Sequence, residues 1–373
     1  MKNLKSNYSH LDLYIYEETL FVWSKTTKSL YAFSNYFAAL YFSMEETLEL
    51  PTDLNEEANA IAKTIQKLLT NKEEKTTYDK EPLIKVPSIP QKLTKFSHKT
   101  YALYGSYFSL DLDESLTRYI EASFTHLLSS TASKSILYHF EVLLEEDKSY
   151  VILANNVKLE TVSKKENVLP VLLDFIRIVH YENSDFLVSI HAAVLAKNEK
   201  TLILPGVSGA GKSTLSSYLM YNGYALYSDE VTTIDLDFNI NSLALCTTIK
   251  EPSWKVLSSF TQDINNSEIH ERFDKQAIKF LAPPSVERDS LNAKGAYIVF
   301  PTYKSGSTTQ VSQIDIVQAI ALITQAQYHL SKPESAEITK TFLEFLTSCR
   351  LYTLVYSDLK SAQDTIEKIL QDD

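Results

Sequence analysis

The sequence predicts an α/β protein in which a glycine-rich loop follows a strand of a mixed sheet, with a small α+β unit ahead of it. Two observations predict the larger part: apolar strand-like runs precede the loop at 206–213, and a helical pattern follows it directly. The third observation is a polar stretch at 72–99 that carries three prolines and several lysines. We therefore predict a first domain over 1–71, a linker over 72–99 and a second domain over 100–373.

Composition limits the classes of protein to consider. At 373 residues the chain exceeds one compact core, and 44% hydrophobic residues supply enough apolar surface for two or three domains. The formal net charge of −11 argues against a general nucleic-acid binder, because neutralising a phosphate backbone requires clustered Lys and Arg. We expect no nucleic-acid partner.

Cysteine usage and hydropathy exclude further classes. Cys246 and Cys349 lie far apart without a CxxC or Cys/His cluster, so both are interpreted as core thiols, and the histidines show no metal-ligand spacing. The chain has no apolar run of about 18 residues and no apolar segment behind its first lysines. We expect a cytoplasmic protein with no membrane partner.

The first domain combines strands with helices. Alternating residues predict a strand at Leu11–Tyr16, and a second strand is predicted at 20–23. A capping-box pattern at Asp53 and Glu56 then opens a helix. Its apolar positions recur at helical spacing and are Ala58, Ile61, Ala62, Ile65, Leu68 and Leu69.

The second domain begins with a lead-in of strands around Tyr104, Val142 and Val151 and two helices, the later one near 169–179. An apolar strand at 186–195 and a second at 201–204 are joined by a short polar turn, which predicts a hairpin. The loop comes next, then a helix at 213–222 that ends at Gly223, and strands at 224–227 and 231–237. Helices at 314–326 and 334–346, a strand at 351–356 and a last helix capped by Ser357 complete the chain.

The loop matches the phosphate-loop pattern GxxxxGK[ST] in the strand–loop–helix context that the pattern requires. Glycines let successive backbone N–H groups turn toward phosphates, and the following helix directs its positive end at them. Lys212 would bridge the β- and γ-phosphates, and the Ser213 hydroxyl would bind magnesium. The predicted nucleotide-binding residues are Gly206, Val207, Ser208, Gly209, Ala210, Gly211, Lys212, Ser213 and Thr214.

An acidic pair and a histidine are further candidates. Asp229 and Glu230 end a short strand after the loop's helix, which would bring carboxylates to the edge where the nucleotide binds. One acid would hold magnesium and the other would accept the proton of a nucleophile; the alternative is a solvated strand end. His191 lies on the strand before the loop, where a satisfied core histidine is the alternative to a functional one.

The histidine strand at 189–195, the loop, and the segment Gly223-Tyr224-Ala225-Leu226-Tyr227-Ser228-Asp229-Glu230 together resemble the HPr kinase/phosphorylase superfamily, in particular its HPr-kinase-related branch. The segments at 249–254, 279–283 and 299–303 are also similar to that branch. The resemblance implies an HPr kinase/PEP carboxykinase-like phosphate-loop fold and an ATP- and Mg²⁺-dependent kinase of serine hydroxyls. In that family's arrangement the residue at Asp229 is the general base, Glu230 assists magnesium and His191 lies near the γ-phosphate.

Three departures from the family pattern bear on the substrate. His-Ala replaces His-Gly, Asp-Glu replaces Asp-Asp, and the glycine- and arginine-rich signature of the phosphorolysis activity is missing. They do not favour HPr as substrate or the reverse reaction. Positive charge on the migrating phosphoryl group would come from Lys250, Arg272 or Lys279, which lie in the segment where the family carries such residues. The sequence does not rank the three, and for each of them a surface charge is the favoured alternative.

The first domain is somewhat similar to the PqqD-type peptide-recognition fold, a small winged-helix unit, in its strands and in residues 28–34 with Phe37 and Leu40. A structural winged-helix appendage is the alternative. In the first case a peptide would add as a strand to an edge formed by Leu11–Tyr16 or by 20–23. The expected partner is a peptide or small protein substrate, and a homo-oligomer is compatible with the sequence.

The sequence thus favours an ATP-dependent kinase acting on a serine of a peptide or protein. Two alternatives stay open. In a phosphate-loop ATPase, Asp229 would hold magnesium through water and Glu230 would activate the attacking water. In a nucleotide-gated peptide-binding module, the nucleotide would hardly turn over.

Overall fold

A computed structural model describes residues 2–4, 10–16, 19–27, 29–34, 56–70, 96–103, 106–129, 136–285, 290–331 and 335–371. The chain divides into two compact units. The first comprises Met1–Glu81, Ile316–Gln318 and Leu330–Ser348, and the second comprises Pro82–Asp315, Ala319–His329 and Cys349–Asp373. Most of the predicted linker, 72–95, and the predicted capping residue Asp53 lie outside the described residues, so the domain boundaries stay a prediction.

The first unit contains an antiparallel meander in the order β1-β2-β3-β4. Its strands are β1 (Lys2–Leu4), β2 (Leu11–Tyr16), β3 (Thr19–Ser24) and β4 (Ser29–Ser34), and its first helix is α1 (Glu56–Thr70). One face of the meander packs on α1 because apolar side chains alternate along the strands and recur at helical spacing along the helix. This core consists of Leu11, Leu13, Leu20, Val22, Phe33, Ala62, Ile65, Leu68 and Leu69.

Pairing within the meander corrects one expectation. Strands β2 and β3 each pair with a neighbour on both sides, so neither Leu11–Tyr16 nor 20–23 forms an edge. The expected strand addition at those two segments is therefore wrong. Among the described strands, the ends of this sheet are β1 and β4.

A helix distant in sequence completes the first unit. Residues 336–348, which form a helix, are grouped with the meander, and the Tyr14 hydroxyl donates to the carbonyl of Ala336 over 2.9 Å. Phe342, Leu343 and Leu346 of this helix are fully buried. The unit therefore combines the N-terminal part of the chain with a helix from its last sixty residues that precedes the C-terminal strand and helix of the second unit.

The second unit begins with a sheet in the order β5-β6-β7-β8-β9. Its strands are β5 (Phe96–Leu103), β6 (Ser106–Asp113), β7 (Ile136–Leu144), β8 (Tyr150–Ala154) and β9 (Val157–Val162). Strands β6 and β7 are parallel and the other neighbours are antiparallel. Leu110 and Phe140 point into a core shared with α3 (Val168–Glu182), while α2 (Thr117–Ile120) and two 3₁₀ turns connect β6 to β7.

The sheet that carries the loop has the order β13-β11-β12-β20-β23-β21. Its strands are β11 (Ala192–Lys197), β12 (Lys200–Pro205), β13 (Ala225–Ser228), β20 (Tyr297–Tyr303), β21 (Gln310–Gln313) and β23 (Arg350–Tyr356). Strands β12, β20 and β23 run parallel, and the rest pair antiparallel. The predicted hairpin is confirmed, because β11 and β12 pair from Ala192↔Pro205 to Lys197↔Lys200.

Two smaller sheets complete the unit, in the orders β19-β15-β14-β10-β22 and β16-β18-β17. Their strands are β10 (Val188–Ile190), β14 (Thr232–Ile234), β15 (Asn239–Ile240), β16 (Thr247–Lys250), β17 (His270–Glu271), β18 (Ala277–Leu281), β19 (Leu291–Asn292) and β22 (Tyr328–Leu330). The remaining helices of the chain are α4 (Lys212–Tyr221), α5 (Glu251–Leu257), α6 (Asp263–Asn266), α7 (Ile316–Ala326), α8 (Ala336–Ser348) and α9 (Leu359–Gln371). Among the described helices, none combines the length and apolar character needed to cross a bilayer.

Two local expectations are corrected. The strand predicted at 186–195 breaks at His191, so that β10 and β11 belong to different sheets. The last helix is capped by Asp358 rather than Ser357, because Asp358 Oδ1 accepts from the Ser361 N–H over 2.7 Å. The Ser357 hydroxyl donates instead to the Ser307 carbonyl over 2.7 Å. The predicted end of α4 is confirmed by Gly223, whose φ is +87°.

Candidate phosphate-binding site

The glycine-rich loop connects β12 to α4 and leaves the first turn of that helix open. Gly211 is the N-cap residue at φ +87° and provides no side-chain cap. The first bond of the helix joins the Leu215 N–H to the Gly211 carbonyl over 2.9 Å. The N–H groups of residues 212–214 therefore have no partner within the helix, which is the condition for binding an anion at a helix N-terminus.

Two tyrosines fix the loop in this conformation. The Tyr356 hydroxyl donates to the Gly211 carbonyl over 3.0 Å, and the Tyr303 N–H donates to the Ala210 carbonyl over 2.9 Å. Tyr303 and Tyr356 stand side by side at the carboxyl ends of β20 and β23. The loop is thereby held against the end of the parallel part of the sheet, the usual place for ligands in α/β folds.

Replacing Gly211 with alanine is expected to distort the loop. A Cβ at Gly211 would lie 2.9 Å from Tyr303 Cβ and would collide with the Tyr356 hydroxyl. Gly223→Ala is a matched control, because Gly223 has the same φ of +87° and no atom within 4 Å of an added Cβ. Both variants incur the left-handed backbone penalty of about 1–2 kcal/mol, so a larger fall in melting temperature for Gly211→Ala measures the collision. Equal falls would contradict the close approach.

Lys212 is a buried cation, and no carboxylate of the described residues is in hydrogen-bonding contact with it. Only 6% of the residue is exposed, and its Nζ donates to the backbone carbonyl of Asp229 over 2.7 Å. Burial lowers the pKa of Lys212, against the opposing charges of Asp229 and Glu230. Because a buried ammonium gains most from an ionised partner, this position favours an anionic ligand.

A cavity of about 680 Å³ lies over the loop. Its lining includes nine of the residues predicted from sequence, which are His191, Val207, Ser208, Gly209, Gly211, Lys212, Ser213, Thr214 and Glu230. The volume is within the range of small-molecule sites, roughly 300–1,000 Å³. Three predicted residues, Gly206, Ala210 and Asp229, are not among the described residues that line it.

His191 and Glu230 form a pair at the cavity wall, with 3.8 Å between His191 Nε2 and Glu230 Oε2. The break between β10 and β11 places His191 there, and its N–H donates to the Gln327 carbonyl over 3.1 Å. Burial lowers the pKa of His191, with a further contribution from the charge of Lys212. Burial would raise the pKa of Glu230, but the positive charges of Arg177 and Lys212 outweigh it, so the pKa lies below its usual value. At neutral pH the pair is therefore a neutral imidazole beside a carboxylate.

Asp229 lies behind the cavity wall, 4% exposed. Its Oδ1 accepts from the Ser216 hydroxyl over 3.2 Å, whereas Oδ2 has no hydrogen-bond partner among the described residues. Burial raises the pKa of Asp229 to about 6. Ser216 belongs to the same helical turn as Ser213, and it is the Ser216 hydroxyl that contacts the incompletely bonded carboxylate of Asp229. Oxygen donors of this kind fit a magnesium ion.

The structure also ranks the three candidate cations. Lys250 lines the cavity and its Nζ donates to the Ser208 hydroxyl of the loop over 2.8 Å. Arg272 lines it as well, 3.9 Å from Asp274. Lys279 does not, because its Nζ donates to the Ile264 carbonyl over 2.7 Å. Lys250 and Arg272 are thus the two candidates that face the loop.

Sequence reasoning missed Tyr303, Tyr356 and Arg177. Tyr303 and Tyr356 are the last residues of two parallel strands, a position that would have suggested them once the strands were paired. Arg177, on α3, acts on Glu230 through its charge, and no local pattern links the two residues. Thr214 also has a partner on a separate helix, because its hydroxyl lies 2.7 Å from that of Ser253 on α5.

Comparisons with known proteins add little to this description. No family model matches the chain, and no curated protein matches it. Among solved structures, the chain is similar to the Hpr(Ser) kinase/phosphatase from Coxiella burnetii, with 9% identity and a TM-score of 0.22. The alignment covers 49% of this chain and 98% of the other. A similarity of this size assigns neither a family nor a function to the chain.

Proposed function

We propose that the cavity binds ATP with Mg²⁺ and that the protein transfers the γ-phosphate to a serine hydroxyl of a peptide or protein. The observation that carries the proposal is Lys212, a buried ammonium held by a neutral carbonyl at the open N-terminus of α4. A triphosphate would give this cation its missing anion and would give the first N–H groups of the helix their acceptors.

The charges around the loop suit phosphoryl transfer. The N–H groups of residues 212–214 and the Lys212 ammonium would bind the β- and γ-phosphates, leaving Lys250 and Arg272 to face the migrating group. Ser213 and Glu230, which both line the cavity, would hold the metal, and the metal supplies a positive charge that screens the phosphate oxygens when bound. The backbone carbonyl of Asp229 would be released by Lys212 in this state.

Two acids are available for the proton of the acceptor hydroxyl. Asp229, with a pKa of about 6, suits a general base near neutral pH. It has to come within hydrogen-bond reach of the substrate, so Asp229, which does not line the cavity, would have to become accessible from it when the substrate binds. Glu230 would then support magnesium, and His191 would lie beside the γ-phosphate.

One observation favours a second candidate, a phosphate-loop ATPase. Glu230 lines the cavity whereas Asp229 lies behind it, next to the helical turn of Ser213. This order suits Asp229 holding magnesium through water and Glu230 activating a water molecule for attack. The two candidates share the nucleotide site and differ only in the acceptor.

Product analysis separates these reactions. The full chain is incubated with Mg-ATP labelled at the γ-phosphate and with a panel of serine-containing peptides. The kinase proposal expects label on serine of a peptide and none when that serine is replaced by alanine. Free phosphate formed at the same rate with and without peptide would instead identify an ATPase. Tight binding without either product would identify a nucleotide-gated binding module.

A peptide substrate would be recognised by the first unit through strand addition at the edge of β4, a described end strand. Proline removes the backbone N–H, and alternate residues of an edge strand direct that group toward the sheet or away from it. Tyr31 and Ala32 are neighbours on β4, so one of the variants Tyr31→Pro and Ala32→Pro loses an N–H that points away from the sheet and the other loses one that points toward β3. The variant that loses the outward N–H should keep its melting temperature and show a several-fold higher KM for the peptide. An unchanged KM in a folded variant of that kind would remove the recognition role. The matched control is the KM for ATP, which neither variant should change.

A further inference from the structure

A group of polar side chains lies on the sheet β5–β6–β7, away from the phosphate-binding cavity. His98, Asp111 and His139 come from three neighbouring strands, and one ligand atom from each lies within 4.8 Å of the others. None of the three is among the residues that line the cavity. We propose that they form a binding site for a divalent transition metal, Zn²⁺, which cross-links the three strands.

Strand register brings the ligands together. His98 is directly opposite Asp111, and Ser109, two residues before Asp111, is opposite His139. Leu110, between Ser109 and Asp111, points into the core, so the polar side chains occupy the other face of the sheet. Backbone pairing therefore holds the site, and no loop has to move to assemble it.

The hydrogen bonds within the group match a metal site. Asp111 accepts from His98 through Oδ1, and its Oδ2 lies 3.6 Å from His139 Nε2. On the other side of the His139 ring, Nδ1 is 2.7 Å from the hydroxyl of Ser109, which is 1% exposed. When Nδ1–H donates to that hydroxyl, Nε2 presents a lone pair toward Asp111. Metal-binding histidines are typically oriented by such a second hydrogen bond on the opposite nitrogen.

Charge also favours a cation at this place. Asp111 is opposite Glu141 in register, which brings two acidic residues to one face of neighbouring strands. In the tautomer whose Nδ1–H donates to Ser109, a lone pair of His139 faces the Asp111 carboxylate, which is unfavourable unless a metal ion lies between them. A Zn²⁺ ion satisfies both groups, since two imidazoles and one carboxylate are among its usual ligands.

The required movement is small. Tetrahedral zinc with bonds of about 2.0–2.2 Å places its ligand atoms about 3.4 Å apart. In the structure the three ligand atoms already lie within 4.8 Å of one another. The His98 side chain is 59% exposed and free to turn inward. Three protein ligands leave a fourth position for water, so the site is an open one rather than a closed structural site.

Metal titration of the full chain tests the proposal. After treatment with EDTA, the protein is titrated with Zn²⁺ by calorimetry and with Co²⁺ by visible absorption. We expect one equivalent of tightly bound Zn²⁺, the intense bands of tetrahedral Co²⁺, and an affinity at least tenfold weaker in His98→Ala and His139→Ala. His329→Ala is the matched control, because His329 is an exposed histidine outside this group, and it should bind as the wild type does.

Folding of the variants is checked by their metal-free melting temperatures, which should match the wild type for His98→Ala and fall modestly for His139→Ala, because the buried Ser109 hydroxyl loses its hydrogen-bond partner. Zn²⁺ should then raise the melting temperature of the wild type and of His329→Ala but not of the other two. Zinc binding that survives both His98→Ala and His139→Ala would overturn the proposal. So would zinc binding that is lost in His191→Ala, because the metal would then occupy the phosphate-binding cavity. Absence of any binding would leave the group as a hydrogen-bonded ladder and would equally overturn it.

Discussion

Replacing Lys212 with alanine is expected to weaken Mg-ATP binding by about 100-fold and to remove turnover. Hydrogen bonds to charged groups contribute about 1.5–3 kcal/mol each, and Lys212 would make them to two phosphates at once. The variant also removes a buried ammonium that, among the described residues, donates to a neutral carbonyl and to no carboxylate, so the fold should tolerate the change. Calorimetry with Mg-ATP measures the affinity, and release or transfer of labelled phosphate measures turnover.

Lys158→Ala is the matched control for Lys212→Ala. Lys158 lies on β9 with an exposed side chain, so its removal changes the net charge by the same amount outside the cavity. It should bind and turn over as the wild type does. Unchanged affinity and turnover in Lys212→Ala would contradict the phosphate-loop interpretation.

Asp229→Asn is expected to reduce phosphoryl transfer by about 10²- to 10⁴-fold, the usual contribution of a general base. Its affinity for Mg-ATP should fall much less, because a base acts mainly in the transition state. Glu230→Gln should instead raise the Mg²⁺ concentration needed for half-maximal rate. Rates measured over a series of Mg²⁺ concentrations distinguish the two effects. If the phenotypes were exchanged and free phosphate were the product, Glu230 would be the base of an ATPase.

Asp229→Asn should also change how the stability of the fold depends on pH. Burial raises the pKa of Asp229 from 3.8 to about 6, so the folded state favours the protonated carboxyl. This contribution to stability is present below pH 3.8 and is lost as the pH rises through about 6. Its full size is about 3 kcal/mol.

Asp229→Asn removes this dependence on pH. Its melting temperature relative to the wild type should therefore increase between pH 4 and about pH 7 and then level off. Asp237→Asn, at an exposed turn position, is the control and should show no such trend. A difference in melting temperature between Asp229→Asn and the wild type that stayed constant with pH would show that burial does not raise the pKa of Asp229.

Local patterns predicted the parts of the molecule that depend on neighbouring residues. The hairpin before the loop, the helix after it and its end at Gly223 all follow from periodicity and glycine conformation, and the structure contains each of them. Strand addition at β2 or β3 was wrong because edge position depends on how many strands pair, and the alternation within one strand does not report it.

Features that depend on distant pairing were beyond the sequence. Tyr356 contacts Gly211 only because β23 runs parallel to β20. Helix α8 belongs to the first unit although most of the second unit lies between them along the chain. The two histidines of the proposed zinc site are separated along the chain without any ligand spacing and meet through strand register. Asp229 was expected at the cavity wall, but whether a strand-end carboxylate faces a cavity or lies behind it is decided by packing, as the position of Glu230 shows.

The proposal that the cavity over the loop binds ATP with Mg²⁺ is tested most directly by a crystal structure of the protein with Mg²⁺ and a non-hydrolysable ATP analogue. We predict the β- and γ-phosphates about 3 Å from the backbone nitrogens of residues 212–214 and from Lys212 Nζ. Lys212 should have left the Asp229 carbonyl, and magnesium should lie on the Ser213 hydroxyl. A nucleotide bound elsewhere, with Lys212 still 2.7 Å from that carbonyl, would contradict it.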